Sequence, residues 1–242
     1  MLTIVKETIR EIASRLGYVV IPKWRLPNWE FATHLRKIFK IYEIMTVVDV
    51  GANEGQYGEF LRREVGFKGL IISVEPQVKC FQELQKKAFK DPKWAALNTA
   101  FGAIEEIREF NVMQGTVFSS FLEPNMQLPG NTVTERVAMR VRTLDSVIKE
   151  IEALRRIGPI YLKLDTQGFD LEVMKGASAS FRQIRALQTE VSVLPIYDNM
   201  ICWHDAIQTF GDCGFAVSGL WPVVHTSRLE VIEFDCVMVR RN

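Results

Sequence analysis

The side chains able to do chemistry in this 242-residue chain are acids placed where apolar runs end. Asp49 sits near the end of "TVVDV" and Glu75 closes "LIISVE", and the stretch "VVDVGANEGQYG", Val47 to Gly58, carries the first run into a glycine-rich loop. Gly51, Gly55 and Gly58 let the backbone turn sharply and come close to a ligand. A dinucleotide fingerprint, G-x-G-x-x-G, needs its second glycine so that the chain can approach a pyrophosphate. Here Asn53 holds that place, and no G-x-x-x-x-G-K-[ST] phosphate loop occurs. The Asp49 carboxylate would repel phosphate and attract a cation. S-adenosylmethionine, with a sulfonium, an ammonium, one carboxylate and no phosphate, suits an acid beside glycines and free N–H groups. Glu75 stands 24 residues after Gly51, about where an open α/β site puts the acid that accepts ribose hydroxyls. Pro76 then starts the next helix.

A second acidic group lies downstream. Asp165 closes "IYLKLD", Lys163 precedes it by two positions and so shares its face of a strand, and Glu190 falls late in "ALQTEVSVL". Methyl transfer to an alcohol needs the acceptor oxygen held in line and a base for its proton, a contribution of roughly 10²- to 10⁴-fold. Asp165 is the leading candidate for that base. Lys163 could keep it ionised or touch the acceptor, and Glu190 should arrive beside both if the two strands are neighbours. Two such carboxylates also allow a divalent-metal site completed by waters, although no metal ligand set is assigned; Asp165 could equally cap the following helix, and Glu190 could merely pair with Lys163. Ser119 and Ser120 are candidates to hydrogen-bond a substrate from a loop. Of the histidines, His204 is the one expected near an acceptor, whereas His34 reads as a solvent-facing helix residue and His225 as part of a turn.

Periodicity places the elements that must position these residues. From Thr46 onward, short apolar runs alternate with helical stretches, the pattern of βα units and a mostly parallel sheet. "TVVDV", "LIISVE", "WAALNTA", "IYLKLD" and "ALQTEVSVL" read as its strands. Phe60, Leu61 and Val65 give the first intervening helix a buried face, and Val78, Phe81, Leu84, Ala88 and Phe89 the second. "IREFNVM" and "VAMRVRTLD" read as an inserted antiparallel pair, because Val137, Met139 and Val141 alternate with Ala138, Arg140 and Arg142. The loop "VFSSFLEPNMQLPGN" between them is free to overhang the site. A helix is expected over residues 144–156, others at "DLEVMKGA" and "CWHDAIQTFGDCG", and a closing hairpin from "FAVSGLW" and "EFDCVMVRR". Residues 1–45 read as an N-terminal helical cap and 46–242 as the catalytic domain. In the cap, Leu2, Val5, Ile9, Ile12 and Leu16 form one apolar stripe, and Phe31, Leu35, Ile38, Phe39 and Tyr42 another. The segment "IPKWRLPNW" between them mixes tryptophan with basic residues, suited to stacking on sugars, to a peripheral membrane contact or to packing over the core.

Composition narrows the classes. An apolar fraction of 48% with net charge +1 describes an ordinary soluble protein, with no basic excess for a nucleic-acid backbone. Cys80, Cys202, Cys213 and Cys236 form no C-x-x-C pair, so reduced cysteines and a cytoplasmic location are expected. No apolar stretch approaches the roughly 20 residues of a membrane span.

Taken together, "VVDVGANEGQYG", "SVEP", "NTAFG", "FSSF", "RTLDSV", "YLKLDTQGFDLEVMKGA" and "EVSVLPIYDN" resemble the FkbM-type methyltransferases, class I adenosylmethionine enzymes that methylate hydroxyl groups. The resemblance runs over roughly residues 46–220 and implies a Rossmann-like fold with a seven-stranded, mostly parallel sheet. It also implies that Asp49, Gly51, Asn53, Gly55 and Tyr57 line the methionine moiety, Glu75 the ribose, and Ala100, Phe101 and Gly102 the adenine edge. Gln167 stands where the commonest form of the family block has Glu, so it cannot act as a base. The expected activity is O-methylation of a sugar hydroxyl in a glycan, glycolipid or glycosylated natural product. A binding module that keeps the cofactor pocket without catalysis, or transfer to nitrogen or carboxylate, are the alternatives.

Overall fold

The computed structural model describes residues 8, 11–125, 132–152 and 156–241. In its main sheet, β1 (Thr46–Val50), β2 (Leu70–Val74), β3 (Trp94–Leu97), β7 (Ile160–Leu164) and β8 (Ile184–Ser192) run parallel, while β10 (Val231–Arg240) is antiparallel to both β8 and β9 (Phe215–His225). These seven strands lie in the order β3-β2-β1-β7-β8-β10-β9. The central strands β1, β2 and β7 are buried at every position. Parallel strands covered on both faces read as continuous apolar runs for that reason. Val48, Ile72 and Leu162 pack into one layer, and Val47, Ile71 and Tyr161 into the other.

Helices flank the sheet. α1 (Trp29–Ile41) buries Ala32, Leu35, Ile38 and Phe39, one stripe at helical spacing. α2 (Gln56–Phe60) runs on into a π-helical turn, Leu61–Val65, that ends at Gly66 with φ +78°. α3 (Val78–Ala88) buries Cys80, Leu84 and Ala88, spaced by four, whereas Val78 and Phe89 face solvent rather than the core as periodicity implied. Phe89 is already the helix's C-terminal cap, beyond the last turn that the stripe controls. α4 (Leu144–Glu152), α5 (Asp170–Lys175) and α6 (Trp203–Asp212) complete the crossovers; the expected continuation of α4 across 153–155 lies outside the described residues.

The inserted pair is part of a second, three-stranded sheet. β5 (Glu106–Met113) and β6 (Val133–Arg142) pair antiparallel as expected, but β4 (Ala100–Phe101) joins β6 in parallel, which puts β6 in the middle. The single third strand expected at "WAALNTA" is therefore two: its first half belongs to the main sheet and its last residue starts β4. The closing hairpin forms with β10 inside and β9 at the edge.

In the N-terminal segment, Leu2, Val5 and Ile9 lie outside the described residues. Residues 11–15 are helical, yet Ile12 and Leu16 are exposed, so this part of the stripe covers nothing. α1 does pack on the sheet unit: Phe31 stacks on Phe60 and lies tilted against Trp221. The His34 ring also lies against Trp221, with Nε2 2.8 Å from Ser218 Oγ. His34 is thus a packed contact and not the solvent residue expected. His225 ends β9 instead of sitting in the turn.

Candidate active site

Strand order reverses between β1 and β7, which opens a crevice at their carboxyl ends, the place where open α/β sheets bind ligands. A cavity of about 760 Å³ lies there. Its floor begins at the glycine turn. Gly51 has φ +80°, and a Cβ on it would stand 1.9 Å from the Asp165 carbonyl oxygen, so only glycine lets β1 and β7 end side by side. The Gly51 and Ala52 N–H groups donate to Val74 O and the Asp165 N–H to Val50 O, each at 3.0 Å, locking three strand ends together.

Asn53 comes next with φ +47°, a left-handed conformation that asparagine tolerates better than most residues. The turn it makes aims its N–H at Glu75 Oε2 (2.8 Å), and the Gln77 N–H reaches Glu75 Oε1 at the same distance. Burial outweighs these two bonds and pushes the Glu75 carboxyl up to about 7. Its side chain still lines the cavity, as do Gly51, Asn53, Tyr57, Pro76, Ala100 and Phe101. Phe110, Phe121 and Phe169 supply an aromatic wall beside Phe101.

Three expected cofactor residues stand behind that surface. Asp49 is fully buried beneath the turn; Ser73 Oγ donates to its Oδ2 (3.2 Å), and the Lys163 ammonium lies 3.4 Å from its Oδ1. It therefore balances a lysine instead of meeting a ligand cation, because its register partner on the neighbouring β7 is Lys163. Gly55 (φ +85°) makes room for Leu84 and Trp94, and Gly102 for Val141; neither lines the cavity.

The downstream acids do converge. β7 and β8 are neighbours with Lys163 opposite Gln188. Lys163 Nζ donates to Asp165 Oδ2 at 2.9 Å and sits 5.0 Å from the Tyr57 ring centre. Burial opposes the charge on Lys163, but Asp165 and Asp49 outweigh it and hold its pKa above the ordinary lysine value. Glu190 makes no ion pair with Lys163; instead Gln167 Nε2 donates to Glu190 Oε2 (2.8 Å) and to Asp165 Oδ1 (3.2 Å). Burial, then the charge of Asp165, drives the Glu190 carboxyl well above the usual range. Asp165 does not cap a helix: α5 starts at Asp170, and Asp170 is the acid that accepts the Thr166 N–H.

Sequence reasoning passed over several residues here. Gln167 has φ +53°, and its Oε1 lies 2.8 Å from the Tyr197 hydroxyl, which is also 2.6 Å from Phe118 O. Gln188 takes the Tyr57 hydroxyl (2.7 Å) and gives its amide to Asp235 (2.8 Å). Glu233 and Asp235 reach the cavity from β10. Their signal was two acids at spacing two in an otherwise apolar run.

Ser119 lines the cavity and ties its loop down, accepting from Met113 N and donating to Gln77 Oε1 (3.2 Å). Ser120 is wholly buried and donates to Gln167 O, so it shapes the loop and does not face the cavity. His204 is on the exposed side of α6 beside Asp205 and does not reach the cavity, since Ala206 and Phe210 set the helix's inward face. Among the described residues, no group of three or more His, Cys, Asp or Glu side chains is placed to hold a metal ion, and no helix is long and apolar enough to cross a membrane.

Acids therefore outnumber cations around the cavity: Glu59, Glu64, Glu75, Asp165, Glu190, Glu233 and Asp235 against Arg63 and Lys163, with Lys163 already shared by two carboxylates. That donor set fits a cationic, phosphate-free nucleoside cofactor and fits a pyrophosphate badly. Sheet order, the glycine turn and the acid ending β2 define the class I methyltransferase fold.

Residues 49–217 match the methyltransferase FkbM domain, and the chain belongs to that family; its cofactor is S-adenosylmethionine. The structure of methyltransferase FkbM from Methylobacillus flagellatus KT superposes with a TM-score of 0.50 at 16% identity, covering 81% of this chain and 44% of that one. This chain thus spans less than half of that relative's length. A SAM-dependent methyltransferase from Aquifex aeolicus gives 0.43 at 17% identity, over 90% and 94% of the two chains. The magnesium protoporphyrin IX methyltransferase from Synechocystis PCC 6803, with bound SAM, gives 0.44 at 12% over 99% and 96%. Among curated protein sequences none matches significantly.

Proposed function

We propose that this protein is an O-methyltransferase whose acceptor is a hydroxyl group, most naturally that of a sugar in a glycan, glycolipid or glycosylated natural product. The observation that carries this reading is the Asp165 carboxylate, at the end of β7 on the cavity wall, held from two sides by Lys163 and Gln167. S-adenosylmethionine supplies an electrophilic methyl group. Gly51, Asn53, Tyr57 and Pro76 would hold its amino-acid end and Glu75 its ribose, with Ala100 and Phe101 at the base. Asp49 and the glycines at 55 and 102 would support these residues from behind.

Asp165 accepts the acceptor's hydroxyl proton. Lys163 stays protonated, because two carboxylates face it, and so fixes and neutralises Asp165 without competing for that proton. Glu190, whose burial favours its neutral form, faces the same space and can hydrogen-bond an acceptor oxygen. Ser119 and the loop it anchors cover one side of the acceptor space. The N-terminal segment covers another through Trp24, Asn28 and Phe31, which border the cavity. A cytoplasmic setting belongs to the same reading and is supported by four free cysteines.

The test is Asp165→Asn, which removes the proton acceptor and keeps the shape. Adenosylmethionine affinity should stay within a few-fold of the parent while turnover with a hydroxyl acceptor falls by roughly 10²- to 10⁴-fold. Labelled-methyl transfer to a panel of sugars, amines and carboxylates reads the acceptor class. Equal turnover by parent and variant would remove Asp165 as the base, and labelling confined to amines or carboxylates would remove the hydroxyl reading.

A further inference from the structure

Between Leu16 and Leu26 the chain leaves six large side chains in solvent: Leu16, Tyr18, Val19, Val20, Trp24 and Leu26, each 43–71% exposed. Scattered exposed apolar residues need no explanation, but a run of this density marks an interaction surface. The charges in the same stretch all have one sign. Residues 12–28 contain Arg15, Lys23 and Arg25 and no acid, in a chain whose net charge is only +1. The Arg25 guanidinium lies 4.9 Å from the Trp24 ring centre and that of Arg63 5.5 Å, so two cations gather on one exposed indole.

The segment also has a defined place in the fold. Trp24 lines the cavity, together with Val117 and Phe118 of the inserted loop, which are likewise exposed. Apolar side chains from two separate parts of the chain thus rim one mouth.

We infer that this basic and aromatic rim docks the protein on the surface of an anionic lipid bilayer, with the cavity mouth turned toward the membrane. Tryptophan and tyrosine prefer the headgroup region because one end of each ring system is apolar and the other polar. Leucine and valine enter the acyl boundary beside them, while lysine and arginine are drawn to negative headgroups. A protein partner for the same surface would need acids of its own, whereas an anionic bilayer supplies negative charge over its whole area. The inference does not depend on which group accepts a methyl.

Flotation of the full chain with phosphatidylcholine vesicles, with and without phosphatidylglycerol, tests it. Binding to the anionic vesicles at low salt is expected, weaker by roughly a hundredfold on neutral ones, as three cations near a negative surface imply. The double substitution Tyr18→Asp, Val19→Asp should abolish it and leave adenosylmethionine affinity and melting temperature unchanged. Absence of flotation with anionic vesicles, or equal flotation of the double variant, would overturn the inference. So would a concentration-dependent dimer in sedimentation velocity that the double variant dissolves, because the surface would then belong to a second copy of the chain.

Discussion

Glu75 should make adenosylmethionine binding depend on pH in a range where free carboxylates show no such effect. Its carboxyl titrates near 7 in the cofactor-free protein, because burial outweighs the two backbone N–H bonds that favour the ionised form. A ribose offers hydroxyl donors and the cofactor carries positive charge, so the ionised carboxylate is the form that binds. Lowering the pH through 7 therefore protonates Glu75 and weakens binding, and binding above 7 meets no such cost. At pH 6 a group of this pKa is ionised in only about one molecule in eleven, and apparent affinity falls by that fraction. A roughly tenfold rise in Kd between pH 8 and pH 6 is therefore expected. Calorimetry in two buffers of different ionisation enthalpy should also show proton release of about half an equivalent at pH 7. Glu75→Gln isolates the carboxylate from the cofactor's own ionisation, which both proteins share; it should bind more weakly throughout and lose the slope. Glu190→Gln should keep it. A parent affinity flat between pH 8 and 6, or the same slope in Glu75→Gln, would refute the reasoning.

Two further substitutions probe the floor of the site. Gly51→Ala forces a Cβ to within 1.9 Å of the Asp165 carbonyl at a backbone φ of +80°, so β1 and β7 must part. A loss on the order of 3 kcal/mol is expected, seen as a melting temperature lower by roughly 10 °C, and calorimetric binding of cofactor should disappear; a variant as stable as the parent would show that the contact is not tight. Lys163→Met leaves Asp49 buried without its cation, a change that typically costs about 3–5 kcal/mol. Because Asp49 can then recover only by taking up a proton, chemical denaturation should show the deficit shrinking at mildly acid pH; a deficit independent of pH would count against the pairing.

Most of the fold could be read from the sequence because the central strands are buried on both faces and announce themselves as unbroken apolar runs. "TVVDV", "LIISV" and "IYLKL" needed no tertiary information. The N-terminal stripe misled for the opposite reason: helical spacing at Ile12 and Leu16 describes a face, and nothing local says whether that face finds a partner. At the site, Lys163, Asp165 and Glu190 were legible from position alone, since residues at adjacent parallel strand ends must meet. What could not be read was direction. Asp49 was expected to face a ligand and instead points inward to Lys163; His204 shares a helix with core residues but lies on its far side. Gln167 was judged by what it cannot do as a base, and its use as a hydrogen-bond fork appears only when Asp165, Glu190 and Tyr197 surround it.

That fork bears on what the acceptor can be. Seven acids and two cations line the cavity, and one of those cations is already committed to Asp49 and Asp165. Two like charges about 4 Å apart cost roughly 4 kcal/mol at the effective dielectric of a protein surface. An acceptor bringing phosphate or carboxylate close to Asp165 would meet a penalty of that order without a free lysine to offset it. A neutral polyol meets none: it can donate to Asp165 and hydrogen-bond Glu190, whose burial favours the neutral carboxyl. Gln167 makes this asymmetry durable, because an amide between the two carboxyls donates to both and adds no charge of its own, where a glutamate would add a third acid and compete for the same proton. On the reading proposed above, the replacement that removes one possible base leaves the proton of a hydroxyl acceptor to Asp165.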